Sequence, residues 1–205
     1  MVYGAVLRPP VYGSLVKTFD AEAALKIPGV IKVKAIDAGV VVLAKDYWTA
    51  TKGVKVLKVD WDDNGLGDLS TAGFTEEYRA LSRQPGLLAE NIGDAEKTIQ
   101  AAESSLESVY EMPYLAHATM EPMNCTAQVS PDRCEIWVGT QYQSNDRTIV
   151  ARLLGLPEEQ VIIHRTLMGG TFGRRASKTA DFVTDAVQAA QGESVPAHTI
   201  WHRQQ

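Results

Sequence analysis

The sequence predicts an α+β fold in two successive units, and three observations carry that reading. Short apolar stretches alternate with period two, as in Val30-Ile31-Lys32-Val33-Lys34-Ala35-Ile36, which is the mark of a half-buried strand. Strand-like and helix-like segments interleave along the chain, with neither an internal repeat nor a low-complexity tract. Glycine and proline clusters separate the segments at short intervals. At 205 residues the chain is long enough for one large domain or two small ones.

Taken in order, residues 2–8 and 15–19 read as strands, split by Arg8-Pro9-Pro10-Val11-Tyr12-Gly13, where two prolines and a glycine forbid regular structure. Asp20 stands as the N-cap of a short helix over 21–26 that Pro28-Gly29 ends. Strands follow at 30–36 and 39–45, then a helix over 47–54 capped by Asp46, then a strand over 56–61. These elements form a first unit, 1–68. A connector over 69–93 includes a helix at 73–83, broken by Gln84-Pro85-Gly86. The second unit, 94–205, opens with a helix (94–103) and an extended stretch (106–114). Strands 124–130 and 133–139 then flank the turn Ser130-Pro131-Asp132-Arg133. Ser144 is placed to cap a helix over 145–154, and a strand over 160–166 leads into a glycine-rich loop. A helix over 178–190 and a last strand over 197–203 complete the order.

Composition narrows the function. Apolar residues make up 45% and charged residues 22%, ordinary for a globular chain. The formal net charge is −5 and no basic block appears, which argues against a general nucleic-acid role. No apolar run is long enough to span a bilayer, and residues 1–8 read as a strand, with no basic start and long apolar run of a signal peptide. Both ends break off within strand-like sequence, so the chain is expected to be part of a longer polypeptide. The two cysteines, Cys125 and Cys134, form no metal or Fe–S pattern. A two-residue hairpin turn would set Cys134 opposite residue 129 or 130 and Cys125 opposite 138 or 139, so both thiols are expected to be free. A cytoplasmic and a periplasmic setting both stay open.

The most informative stretch is Met168-Gly169-Gly170-Thr171-Phe172-Gly173-Arg174-Arg175. Three glycines leave backbone N–H groups uncovered and two arginines follow, a combination suited to an anionic, phosphate-bearing ligand. It lacks the Gly-Lys-Ser/Thr ending of a P-loop and the spacing of a dinucleotide fingerprint. On pattern alone a ligand cradle and a tight structural turn are both open. Asp60, Asp62, Asn64 and Gly65 copy the first half of a calcium loop, but Thr71 occupies the position of the bidentate glutamate. His117 and Glu121, four apart between Pro113 and Pro122, read first as a pair that shapes a loop, with proton transfer as the alternative. Asn124-Cys125-Thr126 matches a glycosylation sequon but opens a strand. No G-x-S-x-G, HExxH or CxxC pattern is present, which argues against serine-hydrolase, zincin and thioredoxin-like chemistry.

Several of these pieces occur together in one family. They are Tyr3-Gly4-Ala5-Val6-Leu7-Arg8-Pro9-Pro10, the stretch from Trp48 to Asp63, the stretch Pro113 to Ala127 with its His117-Ala118-Thr119-Met120-Glu121-Pro122 centre, Gly139-Thr140-Gln141, and Met168 to Arg175. In that order the chain resembles the molybdopterin-binding large subunit of the xanthine dehydrogenase/aldehyde oxidase group, the isoquinoline 1-oxidoreductase beta-subunit branch most of all. The resemblance implies a hammerhead-like α/β first unit followed by part of a molybdopterin-binding α+β domain. It implies molybdopterin as the cofactor of the intact protein, held without a protein metal ligand and expected to be absent from this segment alone. Gln141 would donate a hydrogen bond to an oxygen ligand on molybdenum. Gly169, Gly170, Phe172 and Gly173 would lie beside the metal centre, and Arg174 and Arg175 would support the cofactor's anionic part. Thr171 departs from the family loop, which has a glycine there, and a β-branched residue restricts the backbone.

No catalytic residue is assigned within the chain, because the family's base glutamate lies far C-terminal to this segment. The implied activity is that of a molybdenum-dependent hydroxylase or oxidoreductase acting on aldehydes or N-heterocycles, with this piece inactive alone. The implied partners are the rest of the large subunit, a small 2Fe-2S subunit and a small-molecule substrate. Self-association is also expected, through the apolar face that the missing remainder would cover. A non-catalytic assembly or binding module on the same scaffold is the alternative, and a site for another phosphorylated ligand a third.

Overall fold

A computed structural model of the chain describes residues 1–90 and 92–202. It divides into two units, residues 1–67 with 117–202 and residues 68–116. The first contains a seven-stranded sheet. In chain order its strands are β1 (Val2–Leu7), β3 (Val30–Ile36), β4 (Gly39–Ala44), β6 (Asn124–Ser130), β7 (Arg133–Val138), β8 (Val161–Arg165) and β9 (Ala197–Ile200). Across the sheet they run β3-β4-β1-β9-β6-β7-β8. A separate two-stranded sheet pairs β2 (Leu15–Asp20) with β5 (Lys58–Asp62).

The large sheet crosses the boundary that the sequence placed between a first unit ending at residue 68 and a second beginning at 94. Strand β9 lies parallel to β1, with Val2 beside Ala197, and antiparallel to β6, with Cys125 beside Thr199. Strands from both ends of the chain therefore share one ladder. The α+β class stands, with sheets and interleaved helices in one unit.

Alternation along the strands gives the sheet two apolar faces. Val2, Val6, Val41 and Leu43 join Cys125, Ile136 and Val138 in the main core. Helices α5 (Gln143–Leu154) and α6 (Asp181–Ala190) supply Val150, Ala151, Phe182, Val183, Ala186 and Val187 to the same core. Ala5 and Ala44 face the other way and pack with Ala50, Tyr47 and Val54 of helix α2 (Tyr47–Val56). Every residue of β4 is buried, as a strand covered on both faces requires.

Several element ends differ from expectation. Asp20 ends β2, and α1 (Glu22–Leu25) has Ala21 at its cap position; the Asp20 carboxylate still accepts from the Glu22 N–H at 2.8 Å. Helix α5 begins at Gln143 with no side-chain cap, and Ser144 lies inside its first turn. The reason is Thr140, whose hydroxyl takes the Tyr142 N–H at 3.0 Å and turns the chain two residues early. Helix α6 starts three residues late because Ala180 sits in the left-handed region at φ 51°, outside helical geometry. Strand β9 ends at Ile200, and Arg203 of the expected strand lies outside the described residues. The hairpin register is as expected, Val129 beside Cys134 and Cys125 beside Val138, and both buried thiols are free.

The unit 68–116 holds α3 (Thr71–Leu81), capped by Ser70, and α4 (Ala95–Gln100), capped by Asp94. The stretch 106–114 joins no ladder. It meets α3 through Tyr78 and Tyr114, whose hydroxyls lie 2.8 Å apart, and through Arg79 on Glu111. No described helix is long and apolar enough to cross a membrane.

Candidate functional site

The loop 168–175 leaves β8 and returns toward α6, and the end of β7 runs beside it. Thr166 donates its N–H to the Val138 carbonyl at 3.1 Å, which carries the β7–β8 pairing past the strand end. Gly139 comes next, where a Cβ would stand 2.6 Å from Met168 Cγ and 3.3 Å from Arg175 Nη1. Only glycine permits that approach. Gln141 then donates its backbone N–H to the Arg175 carbonyl at 3.0 Å. The Gln141 residue itself is exposed.

Arg175 is the hub. It is fully buried, and its guanidinium donates to the carbonyls of Gly170 (3.1 Å), Gly139 (3.2 Å) and Glu121 (3.2 Å), with the Glu121 carboxylate also 3.2 Å away. A planar fork of fixed donors suits a convergence of carbonyls from three segments. The sequence suggested that Arg175 supports an anionic ligand. In the structure its donors are spent inside the protein, so any such support runs through the loop it holds. Arg174 makes a two-point pair with Asp181 (2.7 and 3.2 Å), and its guanidinium lies 5.0 Å from the Trp201 ring centroid. It lines a hollow of about 600 Å³ together with Arg8, Pro9, Tyr12, Asp185 and Trp201.

Within the loop, Gly170 and Gly173 take positive φ (105° and 88°), which glycine accommodates. Phe172 also does so, at φ 49°, with its side chain exposed. Thr171 keeps a φ open to any L residue, so the β-branched residue places no strain at that position. Loop hydrogen bonds run from Arg174 N–H to the Thr171 carbonyl (2.8 Å) and from Ala176 N–H to the Gly173 carbonyl (3.1 Å). The N–H groups of Thr171, Phe172 and Gly173 lie outside both. Gly170 and Gly173 carry no Cβ, and the Gln141 residue beyond β7 is exposed. That chemistry fits an anionic, hydrogen-bond-accepting group such as a pterin phosphate.

Other expected pairings fall differently. Glu121 does not couple with His117, which is exposed; its carboxylate goes to Gly169 N–H (2.6 Å), Asn124 Nδ2 (2.7 Å) and Arg175. Burial pushes the Glu121 carboxyl upward more than any other single influence, but the donors Asn124, Gly169 and Arg175 together outweigh it and hold it below its usual range. The Asn124 amide donates to the Glu121 carboxylate and the Pro122 carbonyl. Asp62 and Asp63 accept from the backbone of their own turn, and the described residues hold no cluster of metal-ligating side chains. Sequence reasoning passed over Asp146. It is buried under Thr140, whose hydroxyl donates to it at 2.5 Å. Nothing in the spacing marks it, because the contact depends on where α5 begins.

Residues 81–205 match the family model of the molybdopterin cofactor-binding domain. The chain belongs to that family. The chain is 30% identical over 201 residues to the membrane-bound aldehyde dehydrogenase [pyrroloquinoline-quinone] of Gluconacetobacter polyoxogenes, covering 93% of this chain and 26% of that protein. It is 28% identical over 218 residues to isoquinoline 1-oxidoreductase subunit beta of Brevundimonas diminuta, covering all of this chain and 27% of that one. Among solved structures it superposes on quinoline 2-oxidoreductase from Pseudomonas putida 86 with a TM-score of 0.72 at 18% identity, over 99% of this chain and 31% of that one. The chain thus spans roughly a quarter to a third of the length of the proteins it matches.

Proposed function

We propose that this chain supplies one wall of the molybdopterin site in a molybdenum-dependent hydroxylase or oxidoreductase acting on aldehydes or N-heterocycles. The supporting observation is the hydrogen bond from Gln141 N–H to the Arg175 carbonyl, which brings the two expected wall segments side by side. In this reading the Gln141 amide donates toward the bound group, and the backbone of Gly169 to Gly173 lies against it. Arg175 fixes that backbone from behind, and Arg174 anchors the loop's exit on Asp181. The cofactor, when bound, supplies the redox chemistry. The protein supplies orientation, donors and an ordered backbone. The rest of the large subunit and a 2Fe-2S subunit are the proposed partners, and the naming of one relative as a subunit beta accords with assembly from several chains.

The test is a fluorescence titration of the full-length large subunit carrying this chain with molybdopterin, with pyrroloquinoline quinone in parallel because one relative carries that name. Saturable binding of molybdopterin is expected, weakened roughly fivefold by Gln141→Leu, the equivalent of one hydrogen bond of about 1 kcal/mol. Absence of saturable binding, preference for the quinone, or indifference to Gln141→Leu would each overturn the reading.

A further inference from the structure

We propose that Glu121 is a positioning residue of this wall, its carboxylate setting the direction in which the glycine loop presents its backbone; the proposal rests on the cofactor reading above. Glu121 grips the loop at two places. Its N–H donates to the Gly169 carbonyl at 3.0 Å, and its Oε2 accepts the Gly169 N–H at 2.6 Å. Residue 169 is thereby held by both of its backbone polar groups, leaving it no freedom to turn. Its N–H is consumed by the protein, and the donors left for a ligand begin with the residues after it. The same carboxylate takes Asn124 Nδ2 at 2.7 Å and faces Arg175 Nη2 at 3.2 Å through Oε1.

The identity of residue 169 follows from this contact. A Cβ there would lie 2.7 Å from Glu121 Cβ and 2.9 Å from Glu121 Oε2, although the φ of Gly169 is one that other residues could adopt. The glycine is therefore required by the approach of Glu121 and not by its own backbone angle. Arg175 adds a second coupling. Among the described residues Glu121 is the one carboxylate that pairs with this fully buried guanidinium, whose other partners are carbonyls. Removing the carboxylate would leave a buried charge uncompensated at the point where the Gly139, Gly170 and Gln141 segments meet. The charge and the two Gly169 bonds act on one loop, so the orientation of residues 170–173 depends on a residue that need not touch the cofactor.

The experiment is amide NMR of the nitrogen-15-labelled chain with Glu121→Gln and Glu121→Ala, followed by molybdopterin titration of the full-length large subunit carrying each substitution. In the parent protein the Gly169 amide signal should shift as the pH falls through the range where Glu121 takes up a proton. Glu121→Gln should abolish that shift while leaving core amides such as Val183 unmoved, a separation that general loss of structure does not give. Gly169 amide exchange should speed up roughly tenfold or more in Glu121→Ala, about the value of one charge-assisted hydrogen bond. Glu121→Gln, which keeps an acceptor oxygen, should recover part of that protection and part of the molybdopterin affinity. An unchanged Gly169 amide in Glu121→Ala overturns the proposal, as does equal molybdopterin binding by the parent and Glu121→Ala. If Glu121→Ala does not fold, Glu121→Gln decides by the same two readings. If the parent itself binds no molybdopterin but the Gly169 signals behave as expected, the comparison of affinities does not apply: the cofactor reading fails and the control of the loop by Glu121 stands.

Discussion

Asp146 lies beneath the Gly139-Thr140-Gln141 corner, 2% exposed, with the Thr140 hydroxyl as its hydrogen-bond donor. Burial raises its carboxyl from 3.8 to about 6; the Thr140 hydrogen bond works against that rise and the neighbouring Asp181 adds to it. Between those two values the folded state keeps a proton that the unfolded state has lost. Folding is therefore favoured in acid, and Asp146 gives up that advantage as the pH climbs through about 6. The effect is on the order of 1–2 kcal/mol once partial screening by solvent is allowed for. Asp146→Asn keeps an oxygen for Thr140 and removes the charge. Thermal unfolding should show the variant melting above the parent at pH 7.5, with the gap closing near pH 4. A gap of the same size at both values would refute this. Asp185, also raised to about 6 by burial against the pull of Arg8, is common to both proteins and cancels in the comparison. At this scale the sequence was legible for glycines and opaque for carboxylates. Gly169, Gly170 and Gly173 announce close backbone work by their type, whereas Glu121 looked like half of a pair with His117. The role of a carboxylate is fixed by which distant donor reaches it, and Gly169 is 48 residues away.

Helix α2 shows what an element needs beyond its pattern. Asp46 accepts the Thr49 N–H at 2.7 Å and starts the helix where the capping rule puts it. Gly53, in the last turns, is a poor choice by helix propensity, which favours alanine there by about 1 kcal/mol. The sheet explains it: a Cβ at residue 53 would lie 2.7 Å from Val42 Cγ1 and 3.4 Å from Val30 Cγ2. Val42 is fully buried in β4 and has little room to yield. Overpacking of this kind costs about 1–3 kcal/mol, which outweighs the gain in propensity. Gly53→Ala should therefore lower the melting temperature by a few degrees, roughly 2–4 °C per kcal/mol at this size, as read by calorimetry; a rise would show that propensity wins and that α2 can lift off β4. Elements were legible where a cap or a two-residue turn sets the local geometry, as at Asp46 and the hairpin holding Cys134 beside Val129. They were misplaced where a tertiary contact moves the boundary, as Thr140 does for α5 and the left-handed Ala180 for α6.

Over the whole chain, the least legible fact is the order of the large sheet. Period-two alternation identifies each strand but carries no address, so nothing in Ala197–Ile200 says that it slots between β1 and β6. The sequence placed β1 and β9 in separate units, and the parallel register of Val2 with Ala197 puts them in one ladder. This arrangement makes a prediction about cleavage. No described residue from 68 to 116 is buried, and Arg79, Arg83 and Lys97 there are exposed. Residues 1–67 and 117–202 share the core of Val41, Leu43, Ile136 and Val183 and the backbone ladder across β1, β9 and β6. A protease needs several residues of extended, locally unfolded chain, so opening costs least where few apolar contacts are lost. Brief trypsin treatment should first cut after Arg79, Arg83 or Lys97, identified by mass spectrometry. The two flanking pieces should then elute together on a sizing column in buffer and separate only in denaturant, because β9 brings its hydrogen-bond partners from both. First cuts within 1–67 or 117–202, or separation of the pieces without denaturant, would mean that the ladder joining the two ends of the chain does not hold in solution.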